Sequence, residues 1–191
     1  MRPFAPVSLL PLLGLALALA CSDGTNPTDA SRPAFDAGGQ SGFSLNGEAS
    51  GFPTGEVRLT GGGSFDLSTA SNTVPTEAAA ASTSGSFSCI EPVGQGPLTG
   101  CAKDQGVRWD TVQLLASTGF KCTGSDALKP ATTDAHTAVL LADFYRAGDG
   151  NNESFTAQII VADRDIAPDI PGVQNLWVQG VGCGTANVHL H

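Results

Sequence analysis

The chain has 191 residues, of which 24 are glycine and 12 are proline, and charged residues make up only 14%. This composition excludes a coiled coil or long helical bundle and is typical of a small, turn-rich protein. With 18 acidic residues against nine basic ones the formal net charge is −9, which argues against a nucleic-acid-binding surface. The length suits one domain with its own core.

Residues 1–20 predict a secretory signal peptide. Arg2 precedes an apolar run from Val7 to Leu19, and the chain becomes polar directly after Cys21. The run contains a proline and is shorter than the roughly 20 apolar residues that a membrane-spanning helix needs. We therefore expect this segment to be removed on export rather than to form part of the fold.

The segment Leu17–Cys21 resembles the lipobox of bacterial lipoproteins. It departs from the commonest form because Ala18 stands where leucine is usual and Leu19 where a small residue is usual. The resemblance implies that Cys21 is lipidated and becomes the mature N-terminus. Because serine follows the cysteine, it also implies an outer-membrane address in a cell with two membranes. The alternative is ordinary cleavage after Ala20, which leaves a free thiol.

Residues 21–50 predict the lipidated N-terminus and a flexible tether. Small and polar residues dominate this segment, and no apolar periodicity is visible. A coil of about 30 residues spans roughly 30 Å, which would hold a domain clear of the lipid headgroups. Phe43–Leu45 is the one stretch that could already begin a strand.

Residues 51–191 predict an all-β domain. Short β-compatible stretches recur between turn-forming residues, and Glu153–Asp163 shows the clearest alternation of apolar and polar positions. Glu56–Thr60 and Ser64–Ser68 flank Gly61–Gly63, a spacing that suits either a hairpin or a sharp bend in one long strand. About seven or eight strands without connecting helices predict an antiparallel sandwich or barrel.

Residues 135–147 leave two interpretations open. Thr133 and Asp134 could cap a helix that is rich in alanine and leucine and ends before Gly148. We favour a strand, because Phe144–Phe155 contains two apolar runs joined by a glycine- and asparagine-rich hairpin tip.

Three patches of the β-domain resemble the small secreted bacterial β-domain called post-COAP-1. They are Val57–Phe65, Phe155–Asp163 and Gly182–His191. The cysteines and the segment Gln174–Trp177 depart from the family pattern. The resemblance implies a compact β fold and export, and it implies no particular reaction.

Four further cysteines predict a disulfide-stapled domain: Cys89, Cys101, Cys122 and Cys183. An even set in an exported chain indicates two disulfides, for which three pairings exist. We favour Cys89 with Cys101, which would enclose a turn-rich loop, and therefore Cys122 with Cys183. Zinc is the rival explanation, but no Cys-x-x-Cys occurs and the spacings fit no zinc template.

The sequence predicts no catalytic residue and no cofactor, because it lacks nucleophile-elbow, zinc-protease, phosphate-loop and dinucleotide motifs. Asp149, Asn151 and Glu153 alternate like the first ligands of a calcium loop, but the later positions of an EF-hand are missing. They are weak metal candidates, and the alternative is that they only form a turn.

Three other groups of side chains are candidates for binding. Asp163, Asp165 and Asp169 crowd one turn, and His189 and His191 share a strand face with Asn187 but lack a third ligand. Trp109, Trp177 and Tyr145 could form a sugar-stacking platform. The alternative places Trp177 in the core and Trp109 at a half-buried strand position.

The sequence as a whole predicts a lipid-anchored, extracytoplasmic β-domain that serves as an interaction or structural module of the bacterial cell envelope. Its expected partners are the membrane, through the lipid, and a carbohydrate or protein ligand, with no nucleic acid. The competing hypothesis is a polysaccharide-directed hydrolase that uses a carboxylate pair. Such an enzyme should bury two acids with raised pKa values in one concave pocket, whereas a binding module should spread its acids over turns.

Overall fold

A computed structural model describes residues 40–73, 81–146 and 154–191. These residues form ten strands and one short 3-10 helix at Leu67–Thr69. The strands are β1 (Gln40–Gly51), β2 (Glu56–Asp66), β3 (Ala81–Glu91), β4 (Arg108–Leu115), β5 (Ser117–Phe120), β6 (Lys129–Thr132), β7 (Thr137–Tyr145), β8 (Ser154–Ala162), β9 (Leu176–Val178) and β10 (Gly182–Leu190).

Eight of the strands close into an antiparallel barrel in the order β1-β10-β9-β8-β7-β4-β3-β2, and β2 pairs with β1 to complete it. Strands β5 and β6 form a separate two-stranded hairpin. The predicted all-β, antiparallel fold is therefore confirmed, in its barrel form. Residues 137–145 are strand β7 and not a helix. Closure pairs the first strand with the last and removes the open edges that a sandwich would keep.

The inside of the barrel is occupied by the alternate side chains of its strands. In β7, Ala138, Leu140, Ala142 and Phe144 are all buried in this core. The ring of Phe144 meets that of Phe87 from β3 edge to face, with centroids 5.0 Å apart. An eight-stranded barrel is just wide enough for side chains to fill it, and here small and aromatic residues do so together.

Gly61–Gly63 lie in the middle of one long strand, β2, so the hairpin alternative is wrong. The φ angles of these glycines are 146°, 154° and 148°, which side chains rarely adopt. A Cβ atom on Gly61 would also lie 2.9 Å from the Trp109 ring and would collide with the Ser84 carbonyl. Because Gly61 has no side chain, the indole of Trp109 can pack inside the barrel against the backbone of β2.

The predicted boundary between tether and domain at residue 51 is wrong, because residues 40–51 form barrel strand β1. Phe43 and Leu45 face the core, as do Gly47 and Ala49 further along the strand. The last two interior positions carry glycine and alanine, so the apolar side of the strand was hard to recognise. Small side chains are needed there, since a Cβ atom on Gly47 would overlap Ala186 of β10.

Added segments cover the barrel at one end and along one side. The loop between β3 and β4 contributes Val93, Leu98 and Cys101 to the interior core and so covers the upper end, where β1, β3 and β7 finish. The β5–β6 hairpin and residues 163–175 lie outside the barrel, against β7–β10. They enclose a second apolar cluster made of Leu115, Phe120, Cys122, Ala131, Val139, Ile160, Ala167, Trp177 and Cys183.

Candidate functional site

Both disulfides fasten these added segments to the barrel. Cys89 is bonded to Cys101 and Cys122 to Cys183, the pairing expected from the sequence. The first holds the loop that covers the upper end, and the second ties the start of the β5–β6 connection to β10. The disulfides therefore fix the position of surfaces that lie outside the barrel wall.

The second disulfide lies beside a buried tryptophan. Trp177 is 6% exposed, and its Nε1–H donates a hydrogen bond to the Lys121 carbonyl at 3.0 Å. The ring of Phe120 from β5 lies with its centroid 6.0 Å from that of Trp177. The β5–β6 hairpin thus covers Trp177, whose place in an apolar core was expected, although this core lies outside the barrel.

A recess of about 480 Å³ opens where the barrel, residue Thr123 and the 163–175 segment meet. We call it the outer groove. The side chains that line it are Glu48, Ser50, Glu56, Cys122, Thr123, Ile170, Gln174, Cys183 and Thr185. Its polar groups come from four regions of the chain, so no local sequence pattern identified it.

Several polar groups of the outer groove are already satisfied by neighbours. Arg58 donates from Nε to Glu48 at 2.7 Å, and the Thr185 hydroxyl donates to the Val173 carbonyl at 2.6 Å. Glu56 and Ser50, in contrast, make no side-chain hydrogen bond or ion pair with any residue that the structure describes. The groove therefore presents an unpaired carboxylate beside an unpaired hydroxyl.

The acidic turn after β8 does not form one ligand set. Asp163 lies 3.0 Å from Nδ1 of His136, and Asp165 accepts hydrogen bonds from the backbone of Ala167 and Gln174. Asp169 forms an ion pair with Lys129 at 2.9 Å. Each carboxylate thus has its own partner. The three carboxylates are close in sequence, as predicted, but they do not converge on one site.

Lys129 joins the β5–β6 hairpin to the 163–175 segment. The hydrogen bond from its ammonium to Asp169 raises the pKa of Lys129, and the charge of Asp126 adds to this. Hydrogen bonding from Thr123 lowers the pKa of Asp126. Both pKa shifts favour the charged forms of Lys129 and Asp126, which is the arrangement of a structural ion pair.

A second polar recess, of about 300 Å³, lies beside Asp134, Thr137 and Arg164. It is at the lower end of the barrel, where β7 begins. The Arg164 guanidinium donates to Asp134 at 2.5 Å and to the Thr137 hydroxyl at 3.3 Å. Burial acts to raise the pKa of Asp134, but the His136 backbone N–H and Arg164 outweigh it and lower that pKa. Asp134, Thr137 and Arg164 thus satisfy one another, while Asp165, which also lines the recess, accepts hydrogen bonds from two backbone N–H groups.

The two histidines near the end of β10 do share the outer face of the strand, and both are exposed. His189 pairs with Ser44 in the register of β1, and the backbone of His191 bonds to Gly42. Among the described residues, no group of three or more His, Cys, Asp and Glu side chains is arranged to hold a metal ion. Asp149, Asn151 and Glu153 lie outside the described residues.

The proposed aromatic platform is not formed. Trp109 is 0% exposed inside the barrel, where its Nε1–H donates to the Thr60 carbonyl at 3.0 Å, so its expected half-buried position is also wrong. Trp177 is covered by the hairpin, and only Tyr145 remains partly exposed, with the Arg108 guanidinium 4.4 Å from its ring centroid. The two indoles are structural and cannot stack on a sugar.

No sequence pattern revealed the carboxylate pair of Asp110 and Asp143. Asp110 of β4 lies directly opposite Asp143 of β7, an arrangement that is unfavourable unless it is compensated. The Nε of Arg108 donates to Asp110 at 3.2 Å, and the Thr156 hydroxyl donates to Asp143 at 2.6 Å. The pair stands on the outer wall of the barrel, and only a known strand register would have revealed it.

Comparisons of this chain with protein-family models, with curated proteins and with solved structures give no match. In the part of the chain that the structure describes, no helix is long and apolar enough to cross a bilayer. The resemblances to a lipobox and to the post-COAP-1 domain stay predictions, and Cys21 lies outside the described residues.

Proposed function

We propose that this protein is a lipid-anchored, extracytoplasmic binding module of a bacterial cell envelope. The observation that carries the proposal is a barrel whose interior is occupied by its own side chains, with two disulfides that brace segments added outside it. Such a molecule would bind a partner on its outer surface. Disulfides are typical of oxidising compartments outside the cytoplasm, which supports export.

The lipid anchor is proposed at Cys21, on the resemblance of Leu17–Cys21 to a lipobox. A signal peptide over residues 1–20 would deliver the chain to the export machinery. Two or more acyl chains bind a bilayer far more firmly than the marginal single chain. The protein would then stay at the membrane surface without a spanning helix.

Replacing Cys21 with serine tests the anchor. In a bacterium with lipoprotein processing, we expect the wild type to incorporate labelled palmitate and to partition into detergent. Cys21→Ser should do neither, while Ser22→Ala, the matched control, should label like the wild type. Equal labelling of wild type and Cys21→Ser would refute lipidation at this residue.

The polysaccharide hydrolase remains the second candidate, because Asp110 and Asp143 form a carboxylate pair. A glycosidase needs one carboxyl group kept protonated by its surroundings. In the part of the chain that the structure describes, the carboxyl groups with shifted pKa values are those of Asp66, Asp126 and Asp134, and all three pKa values are lowered. Asp110 and Asp143 themselves lie on the outer wall of the barrel, each with its own hydrogen-bond donor, and this arrangement favours a binding module over a hydrolase.

A further inference from the structure

We propose that the outer groove binds a primary ammonium group carried on an alkyl stem, such as a lysine side chain, with Glu56 as its charged partner. The inference deepens the binding role proposed above and rests on it. It does not depend on lipidation of Cys21, because the described residues that line the groove all lie between positions 48 and 185 of the chain.

The groove has the size and construction of a ligand site. Its volume of about 480 Å³ falls within the roughly 300–1,000 Å³ of small-molecule pockets. It forms where separate segments meet, and the Cys122–Cys183 disulfide fixes one segment to the other. The walls of the groove are therefore held in place in the absence of a ligand, which reduces the conformational entropy lost on binding.

The free polar groups of the groove favour a donor-rich cation. Glu56 is unpaired, and the Gln174 amide donates to the Pro171 carbonyl at 3.3 Å, which leaves its own oxygen available as an acceptor. Among the described residues that line the groove there is neither lysine nor arginine, and the neighbouring guanidinium of Arg58 is held by Glu48. An ammonium offers three donors and no acceptor, so it complements Glu56 in both charge and hydrogen bonding.

The apolar part of the groove favours an alkyl stem behind that charge. Ile170 and the buried disulfide lie beside the polar rim. Lysine packs its methylene groups along apolar surfaces while its ammonium reaches polar surroundings. The negative net charge of the chain would also attract a cation at low ionic strength.

Titration of the full, purified protein with N-acetyl-lysine methylamide, followed by backbone amide NMR, tests the inference. We expect saturable shifts at Thr123, Gln174 and Thr185, and no shifts at Ser84, which pairs with Gly62, six positions along β2 from Glu56. The Nε-acetylated analogue, which has lost the charge, should cause none of them. A parallel titration with cadaverine distinguishes two sources of an ammonium ligand, a peptide and a free diamine. If the ligand is a peptide, the lysine derivative should bind more tightly than cadaverine. If it is a free diamine, cadaverine should bind more tightly.

Two matched variants locate the charged partner. Glu56→Gln should weaken binding about tenfold, in line with the loss of a charge-assisted contact. Asp163→Asn removes a carboxylate charge at the lower end of the barrel, where Asp163 pairs with His136 outside the groove, and it should leave binding unchanged. Equal effects of the two variants, equal binding of the acetylated analogue, or no binding at all would overturn the inference. If the protein still binds envelope material in that case, only the groove assignment falls and the wider binding role stands.

Discussion

Replacing Trp109 with alanine is expected to lower the free energy of unfolding by about 3–5 kcal/mol, the usual cost of emptying a large buried aromatic site. The side chain is 0% exposed and rests against Gly61, which has no side chain to move into the cavity. Its loss also leaves the Thr60 carbonyl without the indole N–H that now donates to it. Both effects act at neighbouring residues of β2, inside the barrel.

Equilibrium unfolding in urea measures this effect as a shift of the midpoint at constant slope. Val107→Ala is the matched control, because Val107 is 49% exposed two residues away. We expect this change to stay within about 0.5 kcal/mol, as surface substitutions do. A loss for Trp109→Ala as small as that of the control would contradict the interior position of Trp109.

Replacing both Cys122 and Cys183 with alanine is expected to cost about 4 kcal/mol in the chain-entropy description of a disulfide, because the bridge spans 61 positions of sequence. The bridge between Cys89 and Cys101 spans 12, and its removal should cost about 3 kcal/mol. Removing the longer bridge should also release the segment that covers Trp177.

Acrylamide quenching of tryptophan fluorescence reports that release directly. We expect quenching to increase in the Cys122→Ala, Cys183→Ala variant, since Trp177 becomes accessible. The variant lacking Cys89 and Cys101 is the control and should keep Trp177 covered by β5 and β6. Unchanged quenching without the longer bridge, or a larger loss of stability without the shorter one, would contradict the described cover.

The fold class followed from the sequence because its signals are local. Alternation in β8 and an even set of cysteines each reflect neighbouring positions or simple counting. The choice of a barrel over a sandwich depends on the pairing of β1 with β10, where Gly47 and Ala49 lie opposite Ala186 and Gly184. Those residues are required by the close packing of the two strands and resemble a linker in composition.

The environments of the two tryptophans show the limit of local patterns. Trp109 stands between Arg108 and Asp110, which suggested a half-buried position, but alternation along β4 turns both charged neighbours outward and the indole inward. Trp177 is surrounded by apolar residues and was expected in the core, yet it lies on the outer side of β9 under a hairpin. That cover depends on a disulfide to a distant part of the chain.

The outer groove was not visible in the sequence for the same reason. Glu56 and Ser50 face each other across the β1–β2 pair, while Thr123 and Gln174 reach the site from the hairpin connection and from the segment before β9. None of these residues carries a recognisable motif. Only the closed barrel and its disulfide bring them together.

Incubating the full protein with purified cell-envelope material, and comparing the amount of bound protein with the amount of soluble fragments released, tests the proposed binding role most directly. A binding module predicts saturable retention of the protein with no release of fragments beyond a control without protein. Release of many sugar fragments per protein molecule, abolished by Asp110→Asn or Asp143→Asn, would show instead that the protein is a hydrolase.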